Sequence, residues 1–272
     1  MPESPELSKN AQKKAKRLEK IKEQRKANRK LKKQLAKTNK QNSNTKSENP
    51  ENHVSKKTLK LQTIEKLQNA LENGAKPKIC IDLQYEQFMN EKELVHLARQ
   101  LSRVYGANKK SEDPCHLTFC NLPQKSKTHK ICSEKNDGFA NYILNFSEKP
   151  LIETFLKEEI VYLSPDSNET LEEIDESKVY VIGGLVDDSV KKSSTLTFAK
   201  EQNIKSVKLP IDKYCSRADQ GSFKQILTIN QVFEILLNKS RGLTWPQAFS
   251  QSLPNRIGFL SNNQEDGSTE KS

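Results

Sequence analysis

Apolar residues are spread thinly over the first part of the chain and gather into short blocks from about residue 58 onward. Residues 9–40, KNAQKKAKRLEKIKEQRKANRKLKKQLAKTNK, are good helix formers whose apolar positions are too sparse to bury a face. That pattern predicts a solvated helix or a disordered arm. Residues 41–57 are polar, contain Pro50 and read as a linker. Further on, IEKLQNALENG predicts a short helix closed by Gly74, and KICIDL (78–83) a compact strand. In EKELVHLARQLSRVYGANKK, Leu94, Leu97, Ala98, Leu101 and Val104 recur at helical spacing, with Gly106 predicted to end the helix. HLTFCNL, IVYL, KVYVI and SVKL are further strands, separated by helical stretches such as STLTFAKEQNI. In ILTINQVFEILL, Ile226, Leu227, Ile229, Val232, Phe233, Leu236 and Leu237 form the apolar stripe of a buried helix. In LTWPQAF, Thr244 can cap a helix whose first turn accepts Pro246, and Trp245 reads as core. Residues 259–272 are polar and predicted to be disordered.

Short buried strands alternating with helices predict an α/β fold with a mostly parallel sheet covered on both faces. In such folds ligands bind beyond the carboxyl ends of the strands. Those ends carry YLSPDS, VIGGLVDD and KLPIDKY, each bearing turn formers, glycines or carboxylates. Together they outline one crevice with backbone amides, little bulk and a carboxylate. The pair Gly183-Gly184 lacks the third glycine of a dinucleotide fingerprint and the Gly-Lys-Ser/Thr of a phosphate loop. An ordinary tight turn is the bland alternative. Asp187 could cap a following helix, or act as a proton acceptor if a partly desolvated pocket raises its pKa.

Charge adds a partner class. The 272 residues hold 46 Lys+Arg and 35 Asp+Glu; residues 1–57 contain 18 and 6 of these, leaving 28 and 29 for the remainder. All the net positive charge therefore sits in the N-terminal arm, where it suits phosphate contact by counterion release, or else a solubilising or nuclear-targeting role. No apolar run approaches the roughly 18 to 20 residues that span a bilayer, and the N-terminus lacks a secretion signal. The five cysteines (Cys80, Cys115, Cys120, Cys132, Cys215) are odd in number, and several lie in apolar stretches, as reduced thiols of an intracellular protein would. The spacing of Cys115, His116, Cys120, His129 and Cys132 matches no common zinc knuckle, and no cysteine–histidine order suggests a hydrolase.

Seven ordered segments, QLSRVYGANKK, PCHLTFCNL, YLSPDS, VIGGLVD, LPIDKY, LTINQVFEIL and WPQAF, resemble the tRNA position-9 N1-methyltransferase family of the SPOUT superfamily, with the animal homologue B branch the most similar. The resemblance covers roughly residues 78–258. It implies a SPOUT-type parallel sheet with a C-terminal trefoil knot, an exception to the usual absence of knots. The domain limits that follow are an arm and linker over 1–57, a methyltransferase domain over 58–258 and a tail over 259–272. The resemblance implies S-adenosylmethionine held by Leu163, Gly183, Gly184, the segment Asp187, Asp188, Ser189, Val190 and Lys191, then Thr195, Leu209, Gln225, Ile226 and Leu227. Asp187 would occupy the proton-acceptor position, with Gln100 and Asn230 near the target base. The partner implied is tRNA, and the expected protein is a monomer of the nucleus or cytoplasm, with no metal and no membrane. Two departures make the rim of the site less positive: QGSFKQ keeps Lys224 alone where family members often carry a basic pair, and Asp188 replaces a commonly basic or polar residue. An RNA-binding protein that keeps the fold without turnover is the competing reading, and a dinucleotide-dependent oxidoreductase would need the fingerprint that is missing.

Overall fold

The computed structural model describes residues 23, 55–74, 77–186, 194–217, 227–253 and 259–261. Met1–Val54 and Ser55–Ser272 are separate compact units, and Glu23 is the described residue of the first. The arm expected over 1–57 therefore lies almost wholly outside the described residues.

The second unit starts with α1 (Lys56–Glu72), where Ser55 Oγ accepts the amide of Thr58. This helix begins two turns earlier than the apolar pattern suggested. Its first half turns Leu59 and Leu61 to solvent, and burial starts only at Leu67 and Ala70, so no apolar stripe marked its start. It closes at Asn73 and Gly74, whose φ of +61° is the left-handed conformation that glycine adopts freely. β1 (Lys78–Asp82) follows, then a 3₁₀ turn (Glu86–Phe88) and α2 (Glu91–Lys110). Asn90 caps α2 through a capping box with Glu93.

The predicted end at Gly106 is corrected by the structure, because α2 runs through that glycine to Lys110. A helical glycine costs about 1 kcal/mol relative to alanine. Here the last turn is held from beyond: the Asn108 side chain donates to the Cys115 carbonyl at 3.1 Å and accepts the Cys115 amide at 2.9 Å, which joins the helix end to the next strand.

The remaining elements are β2 (His116–Cys120), α3 (Lys127–Lys135), β3 (Asn145–Phe146), α4 (Leu151–Thr154), β4 (Ile160–Leu163), β5 (Val179–Gly183), α5 (Ser194–Glu201), β6 (Lys205–Val207), α6 (Ile211–Tyr214), β7 (Cys215–Arg217), α7 (Ile229–Ser240), α8 (Trp245–Ser252) and β8 (Phe259–Ser261). Six strands form one parallel sheet in the order β3-β2-β1-β5-β4-β6. The five strands expected from the sequence are all in it. β3 has only two residues and no alternation by which to be recognised. β7 and β8 pair antiparallel, so residues 259–261 of the expected polar tail are a strand.

Side chains alternate across the central strands. Ile79, Ile81, Tyr180, Ile182, Val161 and Leu163 face a larger core with Leu97, Leu101, Phe233, Leu236, Trp245 and Phe249 of α2, α7 and α8. Cys80, Val179, Val181, Ile160 and Tyr162 face a smaller one with Leu151 and Ala199 of α4 and α5. The sheet is thus covered on both faces, which is why its strands are continuously apolar. Trp245 is core, and its indole N–H donates to the Glu172 carbonyl at 2.7 Å. All five cysteines are buried free thiols. Among the described residues no helix is long and apolar enough to cross a membrane.

A Cβ added at Gly106 meets nothing within 4 Å. Gly106→Ala is therefore expected to stabilise the protein by about 0.5–1 kcal/mol, read from the urea midpoint; destabilisation would show that the glycine is needed for packing.

Candidate functional site

The strand ends predicted to form a crevice do converge. Leu163 and Ile182 are aligned across β4 and β5, and Leu163 and Val207 across β4 and β6. Just past these ends, the Ser164 amide donates to the Val207 carbonyl at 2.9 Å. The Thr195 hydroxyl at the start of α5 donates to Ser164 Oγ at 2.9 Å. Leu163 and Leu209 are almost fully buried, and Leu185, Val186 and Leu227 pack partly buried against the same core. Thus Leu163, Gly183, Gly184, Thr195 and Leu209 lie at or just past the carboxyl end of one sheet, with Ser164 between Thr195 and β6. Asp187, Asp188, Ser189, Val190, Lys191, Gln225 and Ile226 lie outside the described residues, as do Lys224 and its neighbours.

The glycines are hemmed in by the protein itself. A Cβ on Gly183 would stand 2.7 Å from Thr195 Cγ2, and one on Gly184 would stand 2.6 Å from Leu83 Cδ2 and 2.8 Å from the Asp82 carbonyl. The Gly184 amide donates to that same carbonyl at 2.7 Å. The chain can leave β5 this closely against the end of β1 only where residue 184 has no side chain. The sequence offered an ordinary tight turn as the bland alternative; the structure shows close packing on β1 at Gly184.

Sequence reasoning passed over Asp82. It ends β1, is 0% exposed, and its carboxylate is ringed by donors. Asn121 Nδ2 reaches Oδ1 at 2.6 Å, Gln84 Nε2 reaches Oδ2 at 2.6 Å and the Tyr162 hydroxyl reaches Oδ2 at 3.0 Å. Tyr85 and Tyr162 hydroxyls lie 2.9 Å apart, and since Tyr162 gives its proton to Asp82, Tyr85 donates to Tyr162. Burial raises the Asp82 pKa, and the bonds from Asn121, Tyr162 and Gln84 pull it back down. Burial, followed for Tyr162 by the Asp82 charge, raises the phenol pKa values, so both tyrosines stay protonated. The signal was present: an aspartate closing an apolar strand run, a place where an unpaired carboxylate is rarely tolerated. Asn121 adopts φ +54°, a region that asparagine tolerates better than most side chains.

Gln100 and Asn230 are brought together at the start of α7. Gln100 is nearly buried on α2, and its Oε1 accepts the Ile229 amide at 2.9 Å. Asn230, next in sequence, is half-buried and donates to Glu234, whose pKa is raised by burial and drawn down by Asn230, Lys110 and Arg103. Thr228 caps the helix, with its amide and hydroxyl both 2.9 Å from Gln231 Oε1. α7 packs against both α2 and β5, which links this polar pair to the glycine strand.

A hollow of about 390 Å³ lies at the opposite, amino end of the strands, lined by Lys78, His116, Asn145, Ile152, Phe155 and Leu156 among others. Lys78 and His116 begin their strands, so this hollow is at the wrong end for the predicted crevice. Burial and Lys78 lower the His116 pKa, and Nδ1 has no hydrogen-bond partner. Among the described residues no group of three or more His, Cys, Asp or Glu could hold a metal ion.

Comparison with known proteins gives a consistent result. The family profile described as tRNA (guanine(9)-N(1))-methyltransferase TRM10/TRM10A matches residues 5–258. The chain is 38% identical over 261 residues to tRNA methyltransferase 10 homolog B of Homo sapiens, covering 94% of this chain and 80% of that protein. It is 36% identical over 192 residues to the tRNA (guanine(9)-N1)-methyltransferase of Schizosaccharomyces pombe, covering 69% of this chain and 61% of that one. Among solved structures, the crystal structure of the full-length spTrm10–SAH complex is similar with a TM-score of 0.58 and 35% identity, over 65% of this chain and 94% of that chain.

The two glycines should respond differently to the same methyl group. Gly184→Ala pushes against main chain fixed by strand register and is expected to cost about 1–3 kcal/mol with no single-site relief. Gly183→Ala meets one side-chain methyl, so Thr195→Ser, which deletes that methyl and keeps the hydroxyl, should recover most of its loss. Denaturant melts of the single and double variants measure both; a Thr195→Ser change that rescues neither glycine variant contradicts the assignment.

Proposed function

Because the chain belongs to the tRNA (guanine(9)-N(1))-methyltransferase TRM10/TRM10A family, we propose that it forms N1-methylguanosine at position 9 of tRNA, N1-methyladenosine being the alternative product. It is an S-adenosylmethionine-dependent tRNA methyltransferase on the SPOUT α/β sheet. The observation that carries this reading is the family match over residues 5–258, nearly the whole chain. The trefoil knot, the monomeric state, the division at residues 57 and 258, and residence in nucleus or cytoplasm belong to the same proposal.

The strand-end residues fit the methyl donor. Leu163, Leu209 and Leu227 supply apolar walls, and Thr195 and the main chain around Gly183 supply polar edges. The donor brings an electrophilic sulfonium methyl. Gln225, Ile226 and the segment Asp187 to Lys191 complete the cradle in this proposal. What the chain itself contributes is placement of the purine and management of its proton. Guanine N1–H is a far weaker acid than an aspartic side chain, whose ordinary pKa is about 3.9. Full deprotonation before attack is therefore uphill, at about 1.4 kcal/mol per pH unit of mismatch. Asp187 accordingly holds the base and stabilises the positive charge that develops as N1 attacks, and takes the proton during or after that step. Adenine N1 has a free lone pair and needs no base. Gln100 and Asn230 address the base from the α2–α7 junction, with Gln100 Oε1 already engaged by the Ile229 amide and its Nε2 the donor.

Position 9 is stacked within the tRNA core, and exposing it costs a few kcal/mol. Contacts from the basic arm offset this without reading sequence. The arm supplies affinity and the pocket supplies selection.

With purified protein, labelled S-adenosylmethionine and transcripts bearing G or A at position 9, label is expected in the G9 transcript; cofactor binding without any transfer would favour a non-catalytic RNA-binding role. Asp187→Asn should slow transfer by roughly 10²-fold with little loss of cofactor affinity, measured in single turnover and by calorimetry; an unaltered rate would remove the carboxylate from the mechanism. Deleting residues 1–54, which keeps the Ser55 cap of α1, should weaken tRNA binding and flatten the dependence of log K on log salt. Equal salt slopes for the two proteins would exclude the arm as a phosphate binder.

A further inference from the structure

We propose that the outer face of α2 is a track for the sugar-phosphate backbone of tRNA, with Gly106 at the point where the RNA comes closest to the helix. The proposal rests on the tRNA methyltransferase reading and adds a surface by which the domain itself, apart from the basic arm, grips its substrate. Lys92, His96, Arg99, Arg103, Gly106 and Lys110 follow one another at steps of four, three, four, three and four residues. At about 3.6 residues per turn these positions share one side of a helix. It is the side turned away from the core, because Leu97, Leu101 and Val104 are buried on the other. The five long side chains of the row are all exposed. After its first turn α2 carries no carboxylate.

A row of charges is by itself an ordinary solvated surface. Two observations set this one apart. Elsewhere on the domain exposed cations are matched with carboxylates, Lys205 with Glu169 at 3.7 Å, Lys213 with Glu172 at 3.4 Å and Arg241 with Glu112 at 3.5 Å. Among the described residues none of the five long side chains on α2 lies in such a pair. Glu234 of α7 faces Arg103 and Lys110, but it is half-buried and also held by Asn230, so the row stays net positive. The same contact sets this end of the row beside Asn230, one of the two polar residues assigned to the target base. The second observation is Gly106. A glycine inside a helix costs stability relative to alanine, and here a Cβ would meet nothing within 4 Å. The fold itself does not require that side chain to be absent. Leaving it out of a row of long cations lets the main chain of a ligand settle on the helix between Arg103 and Lys110. A sugar-phosphate backbone carries the complementary charge, and arginine and lysine are its usual donors.

The test uses the full chain and reads the tRNA dissociation constant by anisotropy over a range of salt, stability by the urea midpoint and methyl transfer by labelled cofactor. Arg99→Gln and Lys110→Gln should each weaken tRNA binding and lower the slope of log K against log salt by roughly 0.7–0.9. The loss should be equal for transcripts with G or A at position 9, since phosphate contacts carry no sequence information. Gly106→Gln fills the gap with an uncharged helix former. It should keep or raise the urea midpoint and yet weaken tRNA binding roughly 10-fold, the low end for losing one hydrogen bond to a charged group. Gly106→Ala should raise the midpoint with a smaller loss of affinity, and S-adenosylmethionine affinity should hold throughout. Undiminished tRNA binding by Gly106→Gln overturns the proposal, as does a salt slope unchanged in both charge variants. A lowered midpoint in Gly106→Gln would assign the glycine to packing and overturn it too. Absence of methyl transfer by the unaltered protein would instead defeat the enzymatic reading, and the affinities and slopes would still decide on the track.

Discussion

The carboxylate of Asp82 is sealed from water at the tip of the central strand, and the geometry of the sheet's carboxyl end depends on how it is satisfied. Its donors come from the end of β2 through Asn121, from β4 through Tyr162 and from its own loop through Gln84. Its main-chain carbonyl takes the amide of Gly184. One residue therefore joins four separate stretches of chain where a ligand would lie. A buried carboxylate without such partners would carry a penalty of several kcal/mol. Its folded pKa is above the ordinary 3.8, so the folded state holds the proton more tightly than the unfolded one. The resulting cost is absent below about 3.8 and grows as pH rises to the folded pKa. The donors limit that cost; the apolar surroundings cause it.

The same arrangement explains why the glycine pair is where it is. Gly184 is pressed on the Asp82 carbonyl and Leu83, and Gly183 on Thr195. Seen only as a motif, the pair suggested room for a ligand. In the fold, lack of bulk lets β5 turn away beside β1, and the proposed donor cradle starts from that same stretch of main chain. The two accounts are compatible, because a cradle that is stiff before binding spends less of the interaction on ordering itself.

What could be read from sequence followed how local its cause was. The five longer strands and the stripe of α7 announced themselves through apolar runs and helical spacing, and Thr244 and Trp245 through capping and bulk. Gly106 misled because its helix is closed from outside, by Asn108 gripping Cys115. The early start of α1 was hidden because Leu59 and Leu61 face water. Asp82 was missed because its partners lie 39 and 80 positions away in Asn121 and Tyr162. Of the proposed site, Leu163 and Thr195 meet at the carboxyl end of the sheet through Ser164, and Gln100 meets the start of α7 through the Ile229 amide, relations that no spacing reveals.

Strand order carries a consequence for biosynthesis. Lys78 of β1 is aligned with Val179 of β5, about a hundred residues later in the chain. At roughly 5–20 residues per second of translation, one side of the central strand waits about 5–20 s for its partner to emerge from the ribosome. Until then it is an unpaired apolar edge, of the kind that nascent-chain chaperones shield.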